Sequence, residues 1–509
     1  MRATVILAFL FPLLVPAAAP AQSAPPPYSD SATIPKTPAY ERAVEVVELL
    51  NRGDADAFEA FVRTACSASF RDAFPMAEHR GVFLQIQREC GPLEVHGARS
   101  YDPPRPDTSA ALIVWSTWLE SWRGIVLEVD GDGKVASLAV NPARPPSDLP
   151  KAEALTPEQV AEHLGGFADR LAARDAFSGT VLLAKDGKVL LTKAVGIANR
   201  DFDVPVTLDT KFNLGSMNKM LTAVACMQLV EQGKLSLDDP IAKYLAEDWL
   251  PQVDKSKVKV RHLLTHTSGL GSYFTEEFDR SSRALYRTVN DWKPLVRDET
   301  LAFEPGTQWS YSNTGMLIAG AVVEAASGTD YYDYVRAHIT GPAGMSSTDC
   351  YETDKANRKL AVGYDKEIGA DGSVTWHNNL YLHVVRGGPA GGGFSSGEGL
   401  FPFDQALRGQ KLVKRESLDQ LWRTYPELSS ERYGLGFFVE RSPVGAIVGH
   451  SGGFNGISAV LSMYLDDGYT IAVMSNLGGG AATVVGGKAG GLFAQGRWGG
   501  RSPPVRPSL

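Results

Sequence analysis

Three short stretches hold side chains whose types and spacing suit covalent acyl chemistry. The first is Phe212-Asn213-Leu214-Gly215-Ser216-Met217-Asn218-Lys219, where a serine and a lysine stand three residues apart at the start of an apolar helix. Residues i and i+3 share a helix face, so the lysine nitrogen can reach the serine hydroxyl. A hydroxyl at a helix N-terminus also sits at the positive end of the helix dipole, which favours an oxygen gaining negative charge. The Ser-x-x-Lys pattern recurs at Ser256-Lys257-Val258-Lys259, in a polar, lysine-rich loop. Only the first copy is followed by the stripe Met220, Leu221, Ala223, Val224, Met227 and Val230, which reads as a buried helix able to hold a site rigid.

The second stretch, Tyr311-Ser312-Asn313, is the one Tyr-x-Asn in the chain and stands where a loop enters the apolar segment from Met316 to Val323. That position aims a phenol and an amide into a cleft; Asn is also a favoured N-cap, and both roles fit. The third, Val448-Gly449-His450-Ser451-Gly452-Gly453, lies between two strand-like runs. Its small residues let a substrate backbone approach and offer N–H donors, while a lone His is commonly structural. His262 and His266, four apart, could share a helix face as zinc ligands do, but no Glu lies between them and no third ligand is near, so no metal or organic cofactor is expected.

The elements that must position these groups fall into two domains, as 509 residues suggest. Residues 28–140 show helical periodicity first (Tyr40 to Leu50, Ala55 to Val62) and strand-like runs after it (Ala110 to Trp115, Gly124 to Val129), the order of a small α+β domain. That order resembles the cone-shaped domains of the nuclear-transport-factor-like superfamily. A Pro-rich stretch at 141–155 reads as a linker. In 156–480, a helix and a hairpin turning at Asp186-Gly187 open the second domain, and a hairpin turning at Asp466-Asp467-Gly468 closes it. Strands at both ends around a helical middle predict one antiparallel sheet completed by both termini and covered by helices. The Gly-rich stretch 481–509 reads as a mobile tail.

The formal charge of -8 is spread out, with no basic stripe interleaved with aromatics, which argues against a nucleic-acid partner. Arg2, the apolar run from Val5 to Val15 and Ala19-Pro20-Ala21 have the order of a signal peptide spanning 1–21, too short to cross a bilayer; a periplasmic or secreted protein with no membrane anchor after cleavage is expected. In such a compartment Cys66 and Cys90 could pair, whereas Cys226, on the apolar helix, reads as a buried small hydrophobe.

Ser-x-x-Lys, then Tyr-x-Asn, then His-Ser-Gly is an order that resembles class C β-lactamases and related penicillin-binding-type hydrolases, a family that includes esterases and D-amino-acid peptidases. Leu263-Leu264-Thr265-His266-Thr267-Ser268-Gly269-Leu270, Tyr433-Gly434-Leu435-Gly436 and Gly391-Gly392-Gly393-Phe394 fit the same style. The resemblance implies a mixed α/β (α+β) fold in which an antiparallel sheet with flanking helices meets a helical subdomain, with the site in the groove between.

It further implies that Ser216 forms an acyl-enzyme while Lys219 and Tyr311 manage its proton, either being the base. The N–H groups of Ser216 and Gly453 would form the oxyanion hole, Asn313 would orient the substrate amide or the Lys219 side chain, and His450, Ser451, Gly452 and Gly453 would contact substrate. His450 stands where β-lactamases and carboxypeptidases of this type have Lys, which weakens the grip on a substrate carboxylate. Ester or small-peptide hydrolysis is therefore expected, with β-lactamase or D-Ala-D-Ala carboxypeptidase as the alternative and a non-catalytic penicillin-binding sensor or scaffold as the rival of another class. The loop from Gly271 to Glu299, rich in Arg and aromatics, either shapes the specificity wall or is simply solvated.

Overall fold

The computed structural model describes residues 27–150, 153–442 and 444–495, so the expected signal peptide and residues 496–509 lie outside it. The N-terminal part folds as strand β1 (Tyr28–Ser31), helices α1 (Pro38–Arg52), α2 (Ala55–Ala65) and α3 (Met76–Cys90), then β2 (Leu93–Tyr101), β3 (Ser109–Ser116), β4 (Ser121–Val129) and β5 (Val135–Pro142). The strands form one antiparallel sheet in sequence order. Thr37 caps α1, Pro38 opens it and Gly53 closes it in the left-handed region. Its apolar stripe, with Val46, Val47 and Leu50, is buried in one core with Leu112, Val114, Ile125 and Leu127 of the sheet. Cys66 and Cys90 are buried free thiols, and the stretch after β5 is tied down where the Ser147 N–H donates to Asp30 (2.8 Å).

In the second part α4 (Pro157–Ala172), opened by a capping box at Thr156, leads to the hairpin β6 (Gly179–Lys185) and β7 (Lys188–Val195). Helices α5 (Asn218–Glu231), α6 (Asn313–Ser327) and α7 (Gly397–Arg408) fill the middle. Then come β8 (Phe438–Ser442), β9 (Gly445–Phe454), β10 (Ile457–Tyr464) and β11 (Tyr469–Ser475). The sheet order is β8-β9-β10-β11-β6-β7, all antiparallel, so both ends of the domain do complete one sheet. Strand alternation divides it between two cores. Leu182, Ala184, Ala459, Leu461 and Met474 pack with α5 and α6, while Val181, Leu183, Val460, Ile471 and Val473 pack with α4 and the helix that follows the sheet. Every residue of α5 from Asn218 to Leu229 is buried, Cys226 included, which makes it the rigid central helix.

The expectation of a mobile tail is corrected over its first part, because residues 481–494 form helix α8 (Ala481–Ala494). Its glycines disguise a helical stripe of Ala482, Val485, Ala489, Leu492 and Phe493 that is buried against the sheet, with Phe493 stacked on Tyr469 at 4.1 Å. Lys488 of α8 and Arg170 of α4 both pair with Glu120 of the N-terminal part (3.1 and 2.5 Å). On the other side, Arg80 of α3 donates to the Ala370 carbonyl (3.2 Å), in the turn of the hairpin Tyr364–Ile368/Val374–Asn378.

Candidate active site

Ser216 lies in a single 3-10 turn, Gly215–Met217, that runs straight into α5. The turn is possible because Gly215 has φ +50 and because a Cβ there would stand 2.8 Å from the Gly453 nitrogen. Gly452 is held to glycine by the same contact from the other side, since its Cβ would meet the Leu214 carbonyl oxygen at 1.9 Å. The nucleophile turn and strand β9 therefore touch backbone to backbone.

That contact fixes the orientation of the Gly453 amide. Phe454 and Ile457 close a two-residue turn, and Gly453 faces Ser458. The closing pair of such a hairpin exchanges hydrogen bonds, so the next pair points its N–H and C=O groups outward. Strand β8 covers β9 only from Gly445 to Gly449, which leaves the outward Gly453 N–H unpaired by the sheet and beside the serine turn.

One turn along α5, Lys219 is wholly buried and its Nζ sits 3.0 Å from Ser216 Oγ, 2.9 Å from Asn313 Oδ1 and 2.5 Å from the Ala390 carbonyl oxygen. Burial drives its pKa well below the ordinary lysine range. In its neutral form this amine has two N–H donors and one lone pair; the Asn313 and Ala390 oxygens can only accept, so in that form the lone pair faces the serine hydroxyl. The second Ser-x-x-Lys differs: Ser256 turns back on Asp254 (2.6 Å) and Lys259 pairs with Asp238 (3.3 Å).

Tyr311 lies beside Ser216, and the Lys219 nitrogen stands 4.8 Å from the centre of its ring. Burial pushes the phenol's pKa up, and the neighbouring Ser216 hydroxyl offsets this only in part, so the phenol keeps its proton. Asn313 is not the cap of α6. Ser312 is, with its Oγ accepting from the Gly315 N–H at 2.7 Å. Asn313 is thereby free to hold Lys219 with its oxygen and Ser272 Oγ with its nitrogen (3.2 Å).

His450, expected to meet substrate, is 3% exposed and bonded on both sides within the protein. Nε2 lies 2.9 Å from the Tyr433 hydroxyl and Nδ1 lies 2.5 Å from the Ser451 carbonyl oxygen, so both ring nitrogens are engaged within the protein. Burial takes its pKa down to about 3. Ser451 and Gly453 lie on the opposite face of β9 from His450 and Gly452, Ser451 half-buried and Gly453 exposed.

His266 and Tyr433, which motif reasoning left without a role, build the floor. His266 is buried with φ +59, accepts from the Ser312 N–H at Nδ1 (3.1 Å), and packs on Tyr311 and Tyr433 at ring separations of 4.3 and 4.5 Å. A bulky residue in the left-handed region was the fact that would have exposed it, and φ is not written in a sequence. His262 instead accepts from the Lys259 N–H (3.2 Å), and no group of three metal-ligating side chains occurs among the described residues.

This arrangement has counterparts. The Beta-lactamase family profile matches residues 164–492. A penicillin-binding protein of Bacillus subtilis (strain 168) is 31% identical over 332 residues, 62% of this chain and 71% of that one. Esterase EstB of Burkholderia gladioli is 32% identical over 231 residues, 42% of this chain and 57% of its own length. The crystal structure of a penicillin binding protein from Bacillus halodurans superimposes with a TM-score of 0.57 at 30% identity, covering 63% of this chain and 98% of that one. The chain belongs to the Beta-lactamase family.

Proposed function

We propose that this serine hydrolase cleaves esters or amides through an acyl-enzyme on Ser216, with Lys219 as the general base. The observation that carries the reading is the placement of Lys219 Nζ, 3.0 Å from Ser216 Oγ, beside the Asn313 and Ala390 oxygens that can take both N–H groups of the neutral amine and leave its lone pair for the serine proton. Lys219 takes the serine proton as Oγ bonds to the acyl carbon. The carbonyl oxygen becomes an oxyanion held by the N–H groups of Ser216 and Gly453. The Tyr311 phenol, still protonated, passes its proton to the leaving alkoxide or amine and takes back the proton held by Lys219, which leaves the amine neutral again. Water then attacks the acyl-enzyme by the same route in reverse, releasing the acid and restoring Ser216.

A neutral, fully bonded His450 offers no cation to a substrate carboxylate, which favours a small ester or a neutral amide over a β-lactam or a peptide ending in D-Ala. The esterase relative supports the same choice. The penicillin-binding relatives favour the second reading, a carboxypeptidase or β-lactamase. Export to the periplasm or medium is part of this proposal and rests on residues 1–21 alone.

Intact mass during hydrolysis of a nitrophenyl acetate tests it. A transient acetyl adduct and turnover should appear in the wild type and both vanish in Ser216→Ala. Turnover that survives in the mutant refutes the mechanism.

A further inference from the structure

Aromatic rings join the two walls of the cleft. Phe274, on the loop after Gly271, stacks on Phe454, with ring centres 5.6 Å and planes 21° apart. Phe454 directly follows Gly453 of the oxyanion hole. The Phe274 N–H points to Ser272 Oγ (3.4 Å), the hydroxyl that receives the Asn313 amide. Both rings are thus tethered to residues that surround the nucleophile.

The pair continues into an apolar rim. Leu285, Leu380, Tyr381 and Leu382 are all exposed, Tyr381 to 88%. Their loops are bound to one another and to the turn after Phe454: Arg283 Nε donates to the Leu382 carbonyl (3.1 Å), Val385 N–H to the Arg283 carbonyl (3.1 Å), and Asn379 Nδ2 to the Asn455 carbonyl (2.9 Å). The charges nearby are turned elsewhere. Arg283 also holds the carbonyls of Phe278 and Ser281, Arg287 pairs with Glu352 and Asp354, and Glu299 receives the Gly271 N–H and the Thr314 hydroxyl. A contiguous apolar patch at the mouth of a reactive site marks a binding surface, because leaving it wet costs free energy that a ligand recovers.

Resting on the serine-hydrolase reading above, we infer that this rim, centred on Phe274 and Phe454, is a subsite for an uncharged apolar group of the substrate, an alkyl chain or aryl ring next to the scissile ester or amide. The occupant is substrate rather than a protein because Phe454 directly follows Gly453 on the strand beside Ser216, and Phe274 is tied through Ser272 and Asn313 to Lys219.

Two ester series, each below its micelle concentration, test this on the full-length protein: nitrophenyl esters from acetyl to octanoyl, and acetates of alcohols from ethanol to octanol. The enzymes are wild type, Phe274→Ser and Tyr381→Ser, both changes at exposed positions. In at least one series, wild-type kcat/KM should rise about tenfold or more with chain length, and the long-to-short ratio should fall about three- to tenfold in each variant. A rise in the acyl series puts the apolar group on the acyl side, and a rise in the alcohol series puts it on the leaving-group side. Ser216-dependent turnover that is flat with length in both series, or a rise untouched by both variants, overturns the inference and leaves the hydrolase reading standing. Absence of Ser216-dependent turnover on every member removes that reading and the inference with it.

Discussion

The Tyr433 hydroxyl stands 2.9 Å from Nε2 of His450, whose Nδ1 faces the carbonyl oxygen of Ser451 at 2.5 Å. A carbonyl can only accept, so Nδ1 carries the proton, and Nε2 is bare and accepts from the phenol. The imidazole is locked in one neutral tautomer and pins β9 to the floor of the site beneath Tyr311. Its place in the sequence is that of a substrate-binding cation, but its bonds are those of a strut.

If His450 is a strut, removing its partner is a stability change before it is a kinetic one. Tyr433→Phe leaves Nε2 a buried, unsatisfied acceptor and should cost about 1–3 kcal/mol in urea unfolding. A loss under about 0.5 kcal/mol would show the bond to be idle.

The pH dependence of kcat/KM separates the two candidate bases. Burial depresses Lys219 and raises Tyr311, so activity should hold through neutral pH and fall toward acid as the Lys219 amine takes up a proton. Lys219→Met should lose about 10²–10⁴ in kcat/KM, while Tyr311→Phe should lose activity but keep the acid limb where it is. An acid limb that shifts or vanishes in Tyr311→Phe would assign the base to Tyr311 instead.

Three buried imidazoles make the fold acid-sensitive. His262 is lowered to about 4, His450 to about 3 and His266 well below its ordinary value, all chiefly by burial. Each folded pKa is below the unfolded value of about 6.5, so in acid the unfolded chain binds protons that the folded chain refuses. Stability is complete above about pH 6.5 and declines as pH falls toward 4, with a slope approaching about 1.4 kcal/mol per pH unit for each such group. Unfolding free energies between pH 7 and 4 check this, and His450→Gln should make the decline shallower.

Backbone contact at the nucleophile turn is tested by one methyl group. Gly215→Ala forces a side chain into φ +50 and against the Gly453 nitrogen at 2.8 Å. It should destabilise the protein by about 1–3 kcal/mol and cut kcat through displacement of the oxyanion amides, with KM changing less. An unchanged kcat would mean that the Gly453 N–H plays no part in the reaction.

The sequence alone determined the reacting groups and the architecture that carries them. Ser216 and Lys219 are three apart on a helix, and local geometry brings such residues together whatever surrounds them. Hairpins turning at Asp186-Gly187 and Asp466-Asp467-Gly468 betrayed a sheet closed by both ends of the domain, since alternation and turn residues are also local signals. Tertiary structure decided the rest. The choice between Lys219 and Tyr311 depends on burial and on Ala390, far along the chain. His450 became a strut through Tyr433, and Asn313 reached Lys219 because Ser312 took the cap. The Gly-rich end proved to hold a packed helix because its stripe has meaning only against Tyr469 and Val460 of the sheet. Motif spacing reports which groups lie near one another. Protonation and direction are set by low dielectric and by partners distant in sequence, which no spacing encodes.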